Sequence, residues 1–129
     1  MKRVLFAASL ALLATPALAH HSAAMFDHEK IITVKGTVKE FQYTNPHSWL
    51  QVIVTDESGK NTEWGFEAEG PSTLMRAGIK ASTFQPGDRV TIMANPMRDG
   101  RPAGALISAT KADGIVIRTR PGGPPPPKS

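Results

Sequence analysis

The sequence predicts an all-β domain with one short helix, a small OB-like five-stranded Greek-key barrel. Three observations lead there. Apolar residues alternate with polar ones in five successive runs, and a short helical piece falls between the third and the fourth, which is the element order of such a barrel. The first run is long and changes phase midway, as a strand must when it bends to pair with both halves of a small barrel. A chain of 129 residues, 40% of them hydrophobic and none of them cysteine, encloses one core without disulfide staples. A seven-stranded sandwich is the competing architecture, and it needs more strands than the chain supplies.

Ile32, Val34 and Val38 alternate with Thr33, Lys35 and Lys39, after which the apolar phase moves to Phe41 and Tyr43. A bulge near Lys39-Glu40 accounts for the slip. Asn45-Pro46 turns the chain into a second strand, with Leu50, Val52 and Val54 on one face and His47, Trp49, Gln51 and Ile53 on the other. Ser58-Gly59 makes a hairpin to a third strand carrying Trp64 and Phe66. Pro71 suits the first turn of a short helix around Leu74 and Met75, and Gly78 suits its stop. Gln85-Pro86-Gly87-Asp88 turns into a fourth strand with Val90, Ile92 and Ala94. Asp99-Gly100 opens a loop before a fifth strand from about Ala105 to Lys111, and Ile115 to Ile117 form a last hydrophobic piece. The barrel domain is expected over residues 31–118, with Val34, Val38, Leu50, Val52, Val54, Trp64, Phe66, Val90 and Ile92 buried.

The two ends differ in composition from this body. Residues 1–19 place Lys2 and Arg3 before an apolar run from Val4 to Leu13 and end in Ala17-Leu18-Ala19, the pattern of a secretory signal peptide cleaved after Ala19. The run is too short to span a bilayer, which takes about 20 apolar residues. The mature protein is therefore expected to be periplasmic or secreted, and not membrane-spanning. Residues 119–129, rich in Pro and Gly, are expected to form a disordered tail. Of 15 basic side chains, Lys2 and Arg3 leave with the leader, so 13 face 11 acidic ones. That balance and that compartment disfavour nucleic acid as a partner.

Chemistry, if the chain carries any, falls to its histidines. Residues 20–30 form a His-rich arm containing His20, His21 and His28. Cleavage after Ala19 gives His20 a free amino group, and that amine with the ring of the same residue can chelate one copper ion; a second imidazole completes a histidine brace, with nitrogen donors that copper and nickel prefer. His47, aimed by the Asn45-Pro46 turn, is the candidate for that imidazole, with His21 and His28 as auxiliary ligands. Cleavage after Ala17 would instead place His20 third, in position for a square-planar site with backbone amides. Met25, Met93 and Met97 offer thioethers to the reduced ion. Trp49, two residues beyond His47 on the same face, is a candidate to stack on a ligand or shield a metal. The plainer reading is that a His-His start is a hydrophilic arm and that a strand-end histidine bonds a backbone carbonyl. Glu63, Glu67 and Glu69 read as outward, solvated carboxylates. No Gly-x-Ser-x-Gly elbow, phosphate loop or dinucleotide fingerprint is present.

Taken together, His20-His21-Ser22 with Phe26-Asp27, Lys35-Gly36-Thr37-Val38, Tyr43-Thr44-Asn45-Pro46-His47-Ser48-Trp49, Glu63-Trp64 leading to Gly70-Pro71-Ser72, and Pro86-Gly87-Asp88 resemble a family of small secreted bacterial proteins catalogued as domain of unknown function 6152. The likeness runs from about His20 to about Val116. It implies a periplasmic protein with an HHS start and an NPH turn, and it brings no established activity. Two readings follow: a periplasmic copper-binding module using His20 and His47, and a non-metal interaction module whose barrel and Pro-rich tail hold an envelope protein partner. Catalysis ranks behind both, since a copper brace that oxidises needs an open coordination position beside a substrate surface.

Overall fold

The computed structural model describes residues 24–119. The expected leader, His20 and His21, and the tail beyond Thr119 lie outside the described residues. Among the described residues six strands and one short helix follow in order: β1 (Ile32–Gln42), β2 (Ser48–Thr55), β3 (Asn61–Ala68), α1 (Pro71–Arg76), β4 (Arg89–Pro96), β5 (Ala103–Lys111) and β6 (Val116–Arg118).

β1 is long because it serves two partners. Its first half lies antiparallel to β4, from Ile32 opposite Ala94 to Thr37 opposite Arg89. Its second half lies antiparallel to β2, from Thr37 opposite Ile53 to Gln42 opposite Trp49, and the register shifts between Val38 and Glu40. The bulge therefore sits where the phase of the apolar residues changes. β2 continues into β3 as a hairpin, β4 pairs with β5, and Gly65 to Glu67 of β3 run parallel to Ala103 to Ala105 of β5. That last contact closes the ring β1-β2-β3-β5-β4, the Greek-key closure of an OB-like barrel. β6 adds to β5 outside the ring, with Ser108 opposite Arg118.

Alternation along the strands fills the interior. Val38, Leu50, Val52, Phe66, Val90 and Ile92 are buried as expected, whereas Val34, Val54 and Trp64 are half-buried and pack against that core. One end is closed by residues whose burial the strand pattern does not indicate: Leu74 of α1, then Ile79 and Phe84. Phe41 meets Phe84 edge-on at 5.1 Å between ring centroids. The Tyr43 hydroxyl lies 3.0 Å from the Pro71 carbonyl and 2.9 Å from that of Ile79, so its single proton ties the helix to the end of β1. The helix stops by a Schellman closure: Ile79 N–H donates to the Leu74 carbonyl at 2.8 Å and Gly78 N–H to that of Met75 at 3.0 Å, with Gly78 at φ 81°, a conformation that costs glycine little.

Gly36 marks the closest approach of two strands. A Cβ there would lie 2.5 Å from the Ile53 carbonyl oxygen and 2.5 Å from a Val52 methyl, so β1 can cross β2 at this point only without a side chain. The turn before β4 locks onto the neighbouring residue, since Val38 N–H donates to the Asp88 carbonyl and Gly87 N–H to the Val38 carbonyl, both at 2.8 Å.

Candidate functional site

The His47 ring stands at the entrance to β2, placed by the turn through Asn45-Pro46; Thr44 Oγ1 donates to the His47 carbonyl at 3.0 Å. Its Nδ1 is hydrogen-bonded to Glu67 Oε1 on β3. The His47 side chain is 31% exposed and that of Glu67 10%. Glu67 is therefore not the solvated carboxylate that its alternation with Glu63 and Glu69 suggested. The β2–β3 hairpin explains why. Trp49 lies opposite Glu67, which makes His47 and Glu67 a diagonal pair on one face, close enough for long side chains to meet. An ionised carboxylate only accepts, so Nδ1 carries a proton, and in the neutral imidazole the lone pair is then on Nε2. A carboxylate that fixes an imidazole in this tautomer is the usual companion of a metal-binding histidine.

The same face continues across the barrel. Trp49 of β2 lies opposite Glu67 of β3, Glu67 opposite Ala105 of β5, and Ala105 opposite Asn95 of β4, so the four share one outer strip. The far end of the strip is covered by the arm. Phe26, 2% exposed, packs with Met97 and Ala105; it bridges to Met97, and Asp27 N–H donates to the Pro96 carbonyl at 2.8 Å. Residues 24–30, read from sequence as part of an arm, are thus docked on the barrel at Phe26. The Lys30 ammonium, 3.2 Å from Asp27 Oδ2, leads the influences that hold the Asp27 carboxyl below its ordinary value.

His28 lies on the Asn95 end of the strip. Asn95 Nδ2 donates to the Lys30 carbonyl at 2.7 Å, which turns its Oδ1 toward His28 Nδ1 at a long 3.4 Å. Glu67 and Asn95 stand two strand spacings apart on the strip, about 10 Å, with His47 bonded to the first and His28 to the second. No cluster of three or more His, Asp or Glu side chains able to hold a metal occurs among the described residues. Among the described residues His47 supplies one nitrogen oriented by a carboxylate. Trp49 is half-buried beside the pair. Met97 is buried against Phe26, and Met93 is buried as well, so neither presents its thioether to solvent.

Sequence reasoning missed Glu67, Asn95 and Phe26. Glu67 was within reach of hairpin arithmetic: with Asp56 N–H bonded to the Lys60 carbonyl, the loop is Glu57-Ser58-Gly59, and counting outward from it sets Trp49 against Glu67. Asn95 and Phe26 meet through the closure of β4, β5 and the arm, which no local pattern reports.

The model of a family described as "Family of unknown function (DUF6152)" matches residues 8–107, more than half of the chain. No curated protein and no solved structure matches.

Proposed function

We propose, for a chain that belongs to the DUF6152 family of unknown function, that the exported protein begins at His20 and binds one copper ion through the His20 amine and ring together with His47. The observation that carries this reading is the His47–Glu67 pair, in which a nearly buried carboxylate fixes the tautomer and leaves Nε2 as the coordinating atom. The anchored arm supports it. Phe26 packs on Ala105, the residue opposite Glu67, and the six residues back to His20 reach at most about 20 Å, which spans the strip to His47. In the bound state the chain would supply three nitrogens, a donor set suited to copper. Trp49 beside His47 would limit the access of water to the ion.

The test has two parts. N-terminal sequencing of the exported protein should begin at His20; a chain starting at Met1 removes both the compartment and the terminal amine. Copper at one hundredfold above its Kd should stabilise the mature fold by about 2.7 kcal/mol, a rise of about 10 °C or more in the thermal midpoint for a domain of this size. His47→Ala should abolish the copper-induced rise, and a variant extended by one Gly before His20 should weaken it. A rise of equal size in wild type and His47→Ala would place the metal on the arm alone, and no rise in either would leave the envelope-interaction reading.

A further inference from the structure

We propose that the barrel carries a second site, an anion pocket at the ends of the strands away from His47, which takes a phosphomonoester on a soluble, polyhydroxylated carrier. His47 immediately precedes β2 and Trp49 is near its start, Ala105 is near the start of β5 and Asn95 near the end of β4; the pocket lies at the opposite ends of the same three strands, around Ile53, Thr110 and Arg89. It is a cleft of about 400 Å³, within the range of small-molecule sites. The inference does not depend on copper binding.

Strand register builds it. Across the outer face Ile53 lies opposite Thr37 and Thr37 opposite Arg89, while Lys35 lies opposite Thr91 and Thr91 opposite Thr110. These two rows bring hydroxyl groups and two cations to one patch, and Lys111 completes the lining; no carboxylate takes part in it. Lys111 is already committed, with its Nζ 3.1 Å from Asp88 Oδ2 and 3.1 Å from the Thr83 carbonyl. Lys35 and Arg89 differ. Neither has an ion-pair or side-chain hydrogen-bond partner among the described residues, and as diagonal neighbours on adjacent strands their Cβ atoms stand about 7–8 Å apart. Both cations can therefore reach one anion held between the two strands, which would give each the counter-charge it lacks.

The donors select the anion. A guanidinium fork, an ammonium and several threonine hydroxyls offer more hydrogen bonds than the two oxygens of a carboxylate can accept, whereas the three terminal oxygens of a phosphomonoester can engage all three kinds of donor. The cleft is several times larger than the phosphoryl group. The remaining space, bordered by Thr55 and Ile53, suits a carrier with hydroxyl groups and an apolar face, such as a pyranose ring.

The test is a titration of the ¹⁵N-labelled mature protein with glucose 6-phosphate, followed by amide chemical shifts, with glucose, inorganic phosphate and sodium chloride at matched ionic strength in parallel. Saturating shifts confined to the cleft strands, with the ester tighter than phosphate and no effect from glucose or salt, support the proposal. Lys35→Gln and Arg89→Gln should each weaken binding about tenfold or more, while Arg76→Gln on α1 should leave it unchanged; unaltered thermal midpoints would show that the variants fold. Equal shifts with sodium chloride, or affinity unchanged by both cleft variants, would overturn the anion site. Inorganic phosphate binding as tightly as the ester would overturn the role of the carrier. Cosedimentation with phosphatidylcholine vesicles containing phosphatidic acid, lost in Arg89→Gln, would overturn the soluble source in favour of a lipid headgroup.

Discussion

The proton on His47 Nδ1 is held by Glu67, and two substitutions separate what each residue of the pair does. Glu67→Gln keeps the size of the side chain but replaces an ionised acceptor by a neutral amide, so the imidazole loses its fixed tautomer; copper affinity should fall about 10- to 100-fold, measured by competition with a chromogenic chelator. His47→Ala removes the proposed ligand and also leaves a carboxylate with 10% exposure short of one partner, so the apo form should lose about 1–3 kcal/mol, more than an exposed strand-end ring would cost. Phe26→Ala should cost about 3–5 kcal/mol in urea unfolding, because a ring 2% exposed would leave a cavity against Met97 and Ala105; a loss below about 1 kcal/mol would show that the arm is not docked. The four histidines were legible as candidates because residue type alone announces them. Glu67 was not, because alternation tells which face a side chain takes and not whether a neighbour from the next strand covers it.

Strands and turns carry their own consequences. Gly36→Ala forces a methyl group to within 2.5 Å of the Ile53 carbonyl and should cost about 1–3 kcal/mol, seen as a lower urea midpoint with the slope unchanged. The turns are organised by aspartates whose carboxyls sit below their ordinary values: Asp56 through the Ser58 hydroxyl and the Lys60 amide, Asp88 through the Gln85 amide and then Lys111, and Asp99 through the Arg101 amide and side chain. A carboxyl that titrates lower in the folded than in the unfolded chain favours folding once ionised, so its contribution is complete above the unfolded value of about 3.9 and is lost as pH falls below it toward the folded value. The thermal midpoint should therefore be level near neutrality and drop below about pH 4, and Asp88→Asn should flatten the drop. Elements of this kind were legible because Ser58-Gly59, Gly78 and Gln85-Pro86-Gly87-Asp88 are local instructions. The start of β5 at Ala103 was not, because Ala103 and Gly104 join the strand through their partners on β3 and β4 and have little strand preference of their own.

The barrel as a whole was legible from the order of its elements and the phase slip in β1, since few topologies let one bent strand pair with both β2 and β4. The end closure by Leu74, Ile79 and Phe84 was less so, because a helix of six residues is too short to announce its buried face by period. Closure also sets the candidate site: the parallel contact of β3 with β5 brings Glu67 beside the surface on which Phe26 anchors the arm, and the proposed function requires the chain before Phe26 to converge on His47. That convergence is tested most directly by pulsed electron paramagnetic resonance on the mature protein loaded with one Cu(II) per chain, which counts coordinated imidazoles through their remote nitrogens. Wild type should show the His47 imidazole together with that of the arm, and His47→Ala should lose one imidazole while keeping the terminal amine; identical spectra from the two proteins would contradict the account.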